Sequence, residues 1–173
     1  MRQTPLLAAA LCALCLCACS APDPKLAPVA DFELNRYLGT WHEIARLDNS
    51  FEKGLSKVTA EYALRPDGKV AVSNKGFNAA KQKWQTATAV AKFAGDARTG
   101  ALKVSFFRPF YGHYLILELD RKNYSYALVS GGNTNYLWIL ARSTTPDPAA
   151  LETLLEKART LGFDTGKLLF PEQ

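Results

Sequence analysis

Between Trp41 and Arg142 the chain breaks into eight short segments of alternating character, separated by turn chemistry at nearly regular intervals. The breaks are Asn49 to Ser56, Pro66-Asp67-Gly68, Asn78-Ala79-Ala80-Lys81, Gly95 to Gly100, Arg108-Pro109-Phe110-Tyr111-Gly112, Asp120 to Asn123, and Gly131-Gly132-Asn133-Thr134-Asn135. Gly, Pro, Asn and Asp mark turns because they accept positive φ, preset φ or bond their own backbone. Strands this short, joined in sequence order, pair as antiparallel neighbours. The predicted fold class is therefore all-β, an eight-stranded up-and-down antiparallel barrel.

The flanks refine that expectation. Gly39 allows a sharp turn, and Trp41, Glu43, Ala45 and Leu47 then alternate with His42, Ile44 and Arg46. With Trp41 turned inward to plug the closed end, Glu43, Ala45 and Leu47 are expected inside and Arg46 outside. Upstream, Asp31 to Tyr37 reads as one or two helical turns capped by Asp31. After the strands the period changes: Asp147 can cap a helix with Pro148 at its first position, and Leu151, Leu154, Leu155, Ala158 and Leu161 share one face before Gly162. That C-terminal α-helix should pack on the outside of the barrel, over Leu115, Leu117, Leu119, Leu137 and Ile139. Lys167 to Phe170 reads as a short last strand.

Carried along each strand, the same parity puts Ala45, Ala60, Ala87, Ala89, Ala91 and Ala127 in the interior. Such small side chains do not fill an eight-stranded barrel, and an empty apolar cavity forfeits contacts, so an occupant is expected. The candidate ligand-binding residues are Tyr62, Phe93, Phe106, Tyr114 and Trp138 as apolar walls, with Glu43 and Asn74 as the polar groups that orient a headgroup. An inward carboxylate such as Glu43 must be paired, hydrated or protonated. At the open end gather Phe51 and Leu55, Asn78 to Lys81, Pro109-Phe110-Tyr111 and Gly131-Gly132; these loops can pack together, guide an acyl chain, touch a membrane or join two copies as a homodimer. Little points to catalysis: His42 and His113 fall outward by parity, and there is no Gly-x-Ser-x-Gly elbow. No enzyme activity, metal or cofactor is expected.

The N-terminus differs from the rest. Arg2 precedes an apolar run from Leu6 to Ala18, too short to span a bilayer and shaped as a secretory leader. Its end, Leu16-Cys17-Ala18-Cys19, resembles the bacterial lipoprotein signal, which implies cleavage before Cys19 and lipidation of that residue. Ser20 in place of Asp is, in Gram-negative systems, the pattern that goes with sorting to the outer membrane. The other cysteines, Cys12, Cys15 and Cys17, would leave with the leader, so no disulfide or thiolate site within one chain is expected. The organisation read from the chain is a signal peptide over residues 1–18, a proline-rich tether over 19–28 and one barrel domain over 29–173. The 21 Lys and Arg against 16 Asp and Glu are spread along the chain, without the basic runs and interleaved aromatics of nucleic-acid binding.

Gly39-Thr40-Trp41-His42-Glu43-Ile44-Ala45-Arg46, together with Tyr136-Leu137-Trp138-Ile139-Leu140-Ala141-Arg142 and a helix behind it, resembles the lipocalin family. More narrowly, the signal, Lys103-Val104-Ser105-Phe106-Phe107 and Pro109-Phe110-Tyr111-Gly112 are similar to the bacterial outer-membrane lipocalin lipoproteins. The resemblance implies that Gly39, Trp41 and Arg142 are structural, with the Arg142 guanidinium laid over the Trp41 indole at the closed end. It also implies a lipid-binding protein, tethered to the outer membrane through Cys19, that stores or transports fatty acids or lysophospholipids for cell-envelope maintenance. An envelope scaffold acting through the mouth loops, or a lipid-modifying enzyme on the same fold, are the alternatives. Leu119-Asp120-Arg121 departs from the family's Thr-Asp-Tyr, which leaves the register there open.

Overall fold

The structure, a computed structural model, describes residues 21–173; the leader over residues 1–18 and Cys19 lie outside the described residues. Eight strands follow in order: β1 (Gly39–Leu47), β2 (Leu55–Leu64), β3 (Val70–Asn78), β4 (Lys83–Phe93), β5 (Ala101–Phe107), β6 (Phe110–Leu119), β7 (Tyr126–Ser130) and β8 (Leu137–Ala141). Each pairs antiparallel with its neighbour in sequence, and β1 bonds both β8 and β2, so the sheet closes into the expected barrel. A short β9 (Leu168–Leu169) pairs with Arg46 and Leu47 of β1, beyond the Gly39–His42 stretch that bonds β2.

Helix α1 (Leu34–Tyr37) is a single turn, within the one or two expected. Glu33 is its N-cap, while Asp31 sits at φ 48° and pairs with Arg98 instead. Helix α2 (Pro148–Thr160) begins as predicted: the Asp147 carboxylate accepts from the Ala149 N–H at 2.7 Å, satisfying a donor left free by the helix start. It ends at Gly162, whose φ of +88° lets the Phe163 N–H reach back to the Ala158 carbonyl.

Two apolar layers lie on either side of the barrel wall. Outside, α2 buries Leu154 and Ala158 against Leu115, Leu117, Leu128, Leu137 and Ile139. Inside, the closed end is packed solid by Phe32, Tyr37, Trp41, Ile116, Leu119, Tyr124 and Ala127. Two β-bulges decide which layer several residues join. One extra residue reverses the facing of all that follow it. The bulge between Glu43 and Ala45 sends Ala45 and Leu47 to the outer layer and turns Arg46 inward, the opposite of simple alternation. The bulge between Ile116 and Glu118 likewise carries Leu119 from the expected outer patch to the inner core. It lies just ahead of Asp120, whose carboxylate organises the following turn by accepting from the N–H groups of Lys122, Asn123 and Ser125.

The described part of the 19–28 segment is docked on the wall rather than free. Leu26 is buried in the outer layer, and backbone bonds tie Asp23 to Gly132, Val29 to Ile116 and Gly100, and Phe32 to Arg98.

Candidate ligand-binding site

The floor of the barrel is set by Trp41, which has no exposed surface. The Arg142 guanidinium carbon lies 4.0 Å from the centre of its ring, close enough for a cation–π contact. The same guanidinium donates to the carbonyls of Thr40 at 2.7 Å, Leu38 at 2.8 Å, Arg36 at 3.0 Å and Tyr37 at 3.1 Å. It thereby holds the turn that launches β1. Gly39 takes φ +90° there, and a Cβ on it would sit 3.5 Å from Arg142 Nη1, so the backbone angle rather than space calls for glycine.

Above the floor, the hydroxyl of Tyr114 lies 2.7 Å from that of Tyr37 and 2.8 Å from that of Tyr62. Burial pushes all three phenols up, so they stay neutral and bond one another. This chain of hydroxyls is the boundary between the packed floor and a cavity of about 400 Å³. Val58, Ala60, Val72, Val104, Val129 and Leu140 form its walls, and Phe51, Phe106, Phe107, Phe110 and Trp138 its upper part.

Glu43, Glu52, Asn74 and His113 interrupt the apolar lining beside the tyrosine hydroxyls. The bulge in β1 brings Arg46 against Glu43, and the guanidinium donates to the Glu43 carboxyl with both side chains buried. Arg46 also donates to the carbonyls of Glu52 and Leu55, both at 3.0 Å. Glu52 is folded in from the β1–β2 loop: its N–H bonds Asn49 Oδ1 at 2.9 Å, and its carboxylate accepts from Asn49 at 2.6 Å and from the Trp138 indole at 2.9 Å. The buried guanidinium thus joins the Glu43 carboxyl to two loop carbonyls, while Asn49 and Trp138 hold the Glu52 carboxylate. Burial, then repulsion from Glu52, raises the Glu43 carboxyl to about 8 although Arg46 opposes the shift. Asn74 Oδ1 is buried with no hydrogen-bond partner among the described residues.

Of the residues expected to line a site, the structure gathers Glu43, Tyr62, Asn74, Phe106, Tyr114 and Trp138 around this one cavity. Phe93 is placed elsewhere: its ring lies against Phe32 at 6.3 Å, edge to face, on the packed floor below the tyrosines. The alanines are redistributed too. Only Ala60 lines the cavity; Ala89, Ala91 and Ala127 make room on the floor for the large aromatics, Ala87 is exposed, and Ala45 faces α2. His113, expected outside, borders the cavity while its Cβ packs on Gly132. Arg46 and Glu52 were not anticipated. A bulge leaves no mark in an alternating sequence, whereas the spacing Asn49-x-x-Glu52 is the one local sign that the loop folds on itself.

The profile of the family described as lipocalin-like domain matches residues 32–173. The chain is 50% identical to the outer membrane lipoprotein Blc of Vibrio cholerae, over 94% of this chain and 95% of that protein. It is 47% identical to Blc of Escherichia coli K12, over 100% of this chain and 98% of that protein. Among solved structures, insecticyanin from the tobacco hornworm Manduca sexta shares the fold at TM-score 0.70 and 22% identity, covering 89% of this chain and 86% of the other.

Proposed function

Because the chain belongs to the lipocalin family, we propose that it is a lipid-binding outer-membrane lipoprotein, anchored through acylated Cys19, whose barrel stores or transports fatty acids or lysophospholipids for envelope maintenance. The observation that carries this reading is the cavity itself: about 400 Å³, apolar on nearly all sides, open at one end, with a few polar groups set among the apolar ones. An acyl chain fills such a space by leaving water, and the polar groups fix the end that stays polar. Glu43, whose carboxyl burial and the neighbouring Glu52 raise to about 8, stands in the cavity lining where the polar end of a ligand would meet it. Asn74 Oδ1 is an acceptor in want of a hydroxyl, which a lysophospholipid carries on its glycerol.

Native mass spectrometry of the lipidated protein extracted from membranes tests this directly. One acyl lipid per barrel is expected, with a fluorescent fatty acid quenching Trp138 in the emptied protein. Extraction without lipid, together with no quenching, would sink the proposal. Turnover of a lipid ester would move the reading to an enzyme.

A further inference from the structure

We propose that the open end of the barrel docks mouth-down on the bilayer that carries the anchor, with the β5–β6 hairpin seated in the lipid interface. The proposal rests on the reading of Cys19 as acylated and names the surface through which the cavity would be served.

The path of the N-terminal segment fixes the orientation. The Asp23 N–H bonds the Gly132 carbonyl at 2.8 Å, in the loop between β7 and β8 at the open end. Val29 then bonds Ile116, and Phe32 bonds Arg98 in the β4–β5 loop at the closed end. The chain therefore runs down the outside of the wall from mouth to floor, with Asp23 at the mouth. Cys19 is four residues upstream, a reach of ~14 Å when fully extended. Turning the closed end to the membrane would require that reach to span a wall whose strands run to eleven residues, roughly 36 Å along the strand. Four residues cannot do it.

The surface at that end has the chemistry of the interface it would meet. Phe107 is 81% exposed, Phe110 67% and Phe51 59%. Around them stand the exposed cations Lys53, Lys75, Lys81, Lys83 and Arg108, with Lys75 Nζ 4.6 Å from the centre of the Trp84 ring. Of the acidic side chains in the neighbouring β1–β2 loop, Glu52 is turned inward and only Asp48 is exposed. Aromatic side chains ringed by Lys and Arg suit an acyl boundary under anionic headgroups. They suit a second copy poorly, since its mouth would present the same positive ring. The wall is also open on this side: β4 bonds β5 only from Val90 to Phe93. A second hollow lies between Thr86 and Ala87 on one flank and Phe106 and Phe107 on the other. An acyl chain could pass there from bilayer to cavity without crossing water.

The test uses the full acylated chain reconstituted in phosphatidylethanolamine–phosphatidylglycerol vesicles. An environment-sensitive fluorophore is placed at the mouth (Phe110→Cys, or Lys81→Cys as an independent position) or at the closed end (Gly95→Cys). A several-fold rise in emission with a blue shift is expected at both mouth positions and none at 95. A rise at 95 alone, or at no position, overturns the proposal. So does a rise at 110 that grows with protein concentration in the absence of vesicles, because a second copy would then be the occupant. Displacement of a fluorescent fatty acid from the same samples reports the cavity separately. Insertion without cavity binding leaves the docking intact while the carrier reading fails, and cavity binding without insertion does the reverse.

Discussion

The two ends of the barrel are built on opposite terms. At the closed end the large side chains are out of water, the Trp41 indole N–H bonds the Tyr37 carbonyl at 2.8 Å, and a single arginine satisfies five carbonyls. At the open end phenylalanines face solvent, while ionisable groups and an unpartnered amide oxygen are buried. Natural chains bury such groups at a cost in stability. The contrast assigns stability to the region below the Tyr37–Tyr114–Tyr62 hydroxyls and ligand chemistry to the region above them.

Substitutions at the two ends should therefore separate unfolding from binding. Trp41→Ala has the largest expected effect, a loss of about 3–5 kcal/mol in urea unfolding, because a packed floor cannot collapse around the missing ring. Arg142→Met should cost about 2–3 kcal/mol, the scale of charged hydrogen bonds lost together. If either variant keeps full stability and loses fatty-acid affinity instead, the division of labour between the ends is wrong. Tyr114→Phe tests the boundary: it strips the shared hydroxyl from Tyr37 and Tyr62, leaving two buried groups unpaired, and should cost about 2 kcal/mol. At the mouth, Trp138→Ala should weaken a fluorescent fatty acid about tenfold, ~1.4 kcal/mol of binding, with its urea midpoint little moved.

How far the sequence disclosed this division follows from the period of its signals. Strand count, order and the helix on the outer face were legible because turn residues punctuate the chain and α2 has a cap, a proline and one apolar stripe. The floor was legible through Trp41 and Arg142. Inward and outward were legible only until the first bulge. One extra residue after Glu43 reversed Ala45, Arg46 and Leu47, and a second after Ile116 reversed Leu119. No change of composition accompanies either, since a bulge is set by the twist the closed sheet must take. Phe93 was misplaced along the axis rather than across the wall. Its parity is inward, but parity does not say how high on the strand the floor ends and the cavity begins. Glu52 was out of reach of periodicity altogether, because it comes from a loop.

The subtlest way to probe the comparison is through the proton on Glu43. In the unfolded chain this carboxyl titrates near 4.5, and in the folded barrel near 8. Between those values the folded state holds a proton that the unfolded state has released, so this group makes stability fall as pH rises from about 4.5 to about 8 and level off above. Glu43→Gln keeps an oxygen for Arg46 to donate to but has no proton to lose. The two proteins should match best near pH 4.5, where the carboxyl is neutral in both the folded and the unfolded parent, and the variant should become the more stable of the two as pH rises toward 8. Across pH 5 to 9 its urea stability should lack the parent's downward slope. Fatty-acid affinity should follow the same pattern: in the parent it drops as Glu43 ionises beside the ligand carboxylate, and in the variant that drop is absent. Parallel pH profiles for the two proteins would mean that Arg46 and Glu52 already balance without the Glu43 proton. The buried polar cluster at the mouth would then be a fixed salt bridge, as inert as the floor, and not a site whose charge a ligand can meet.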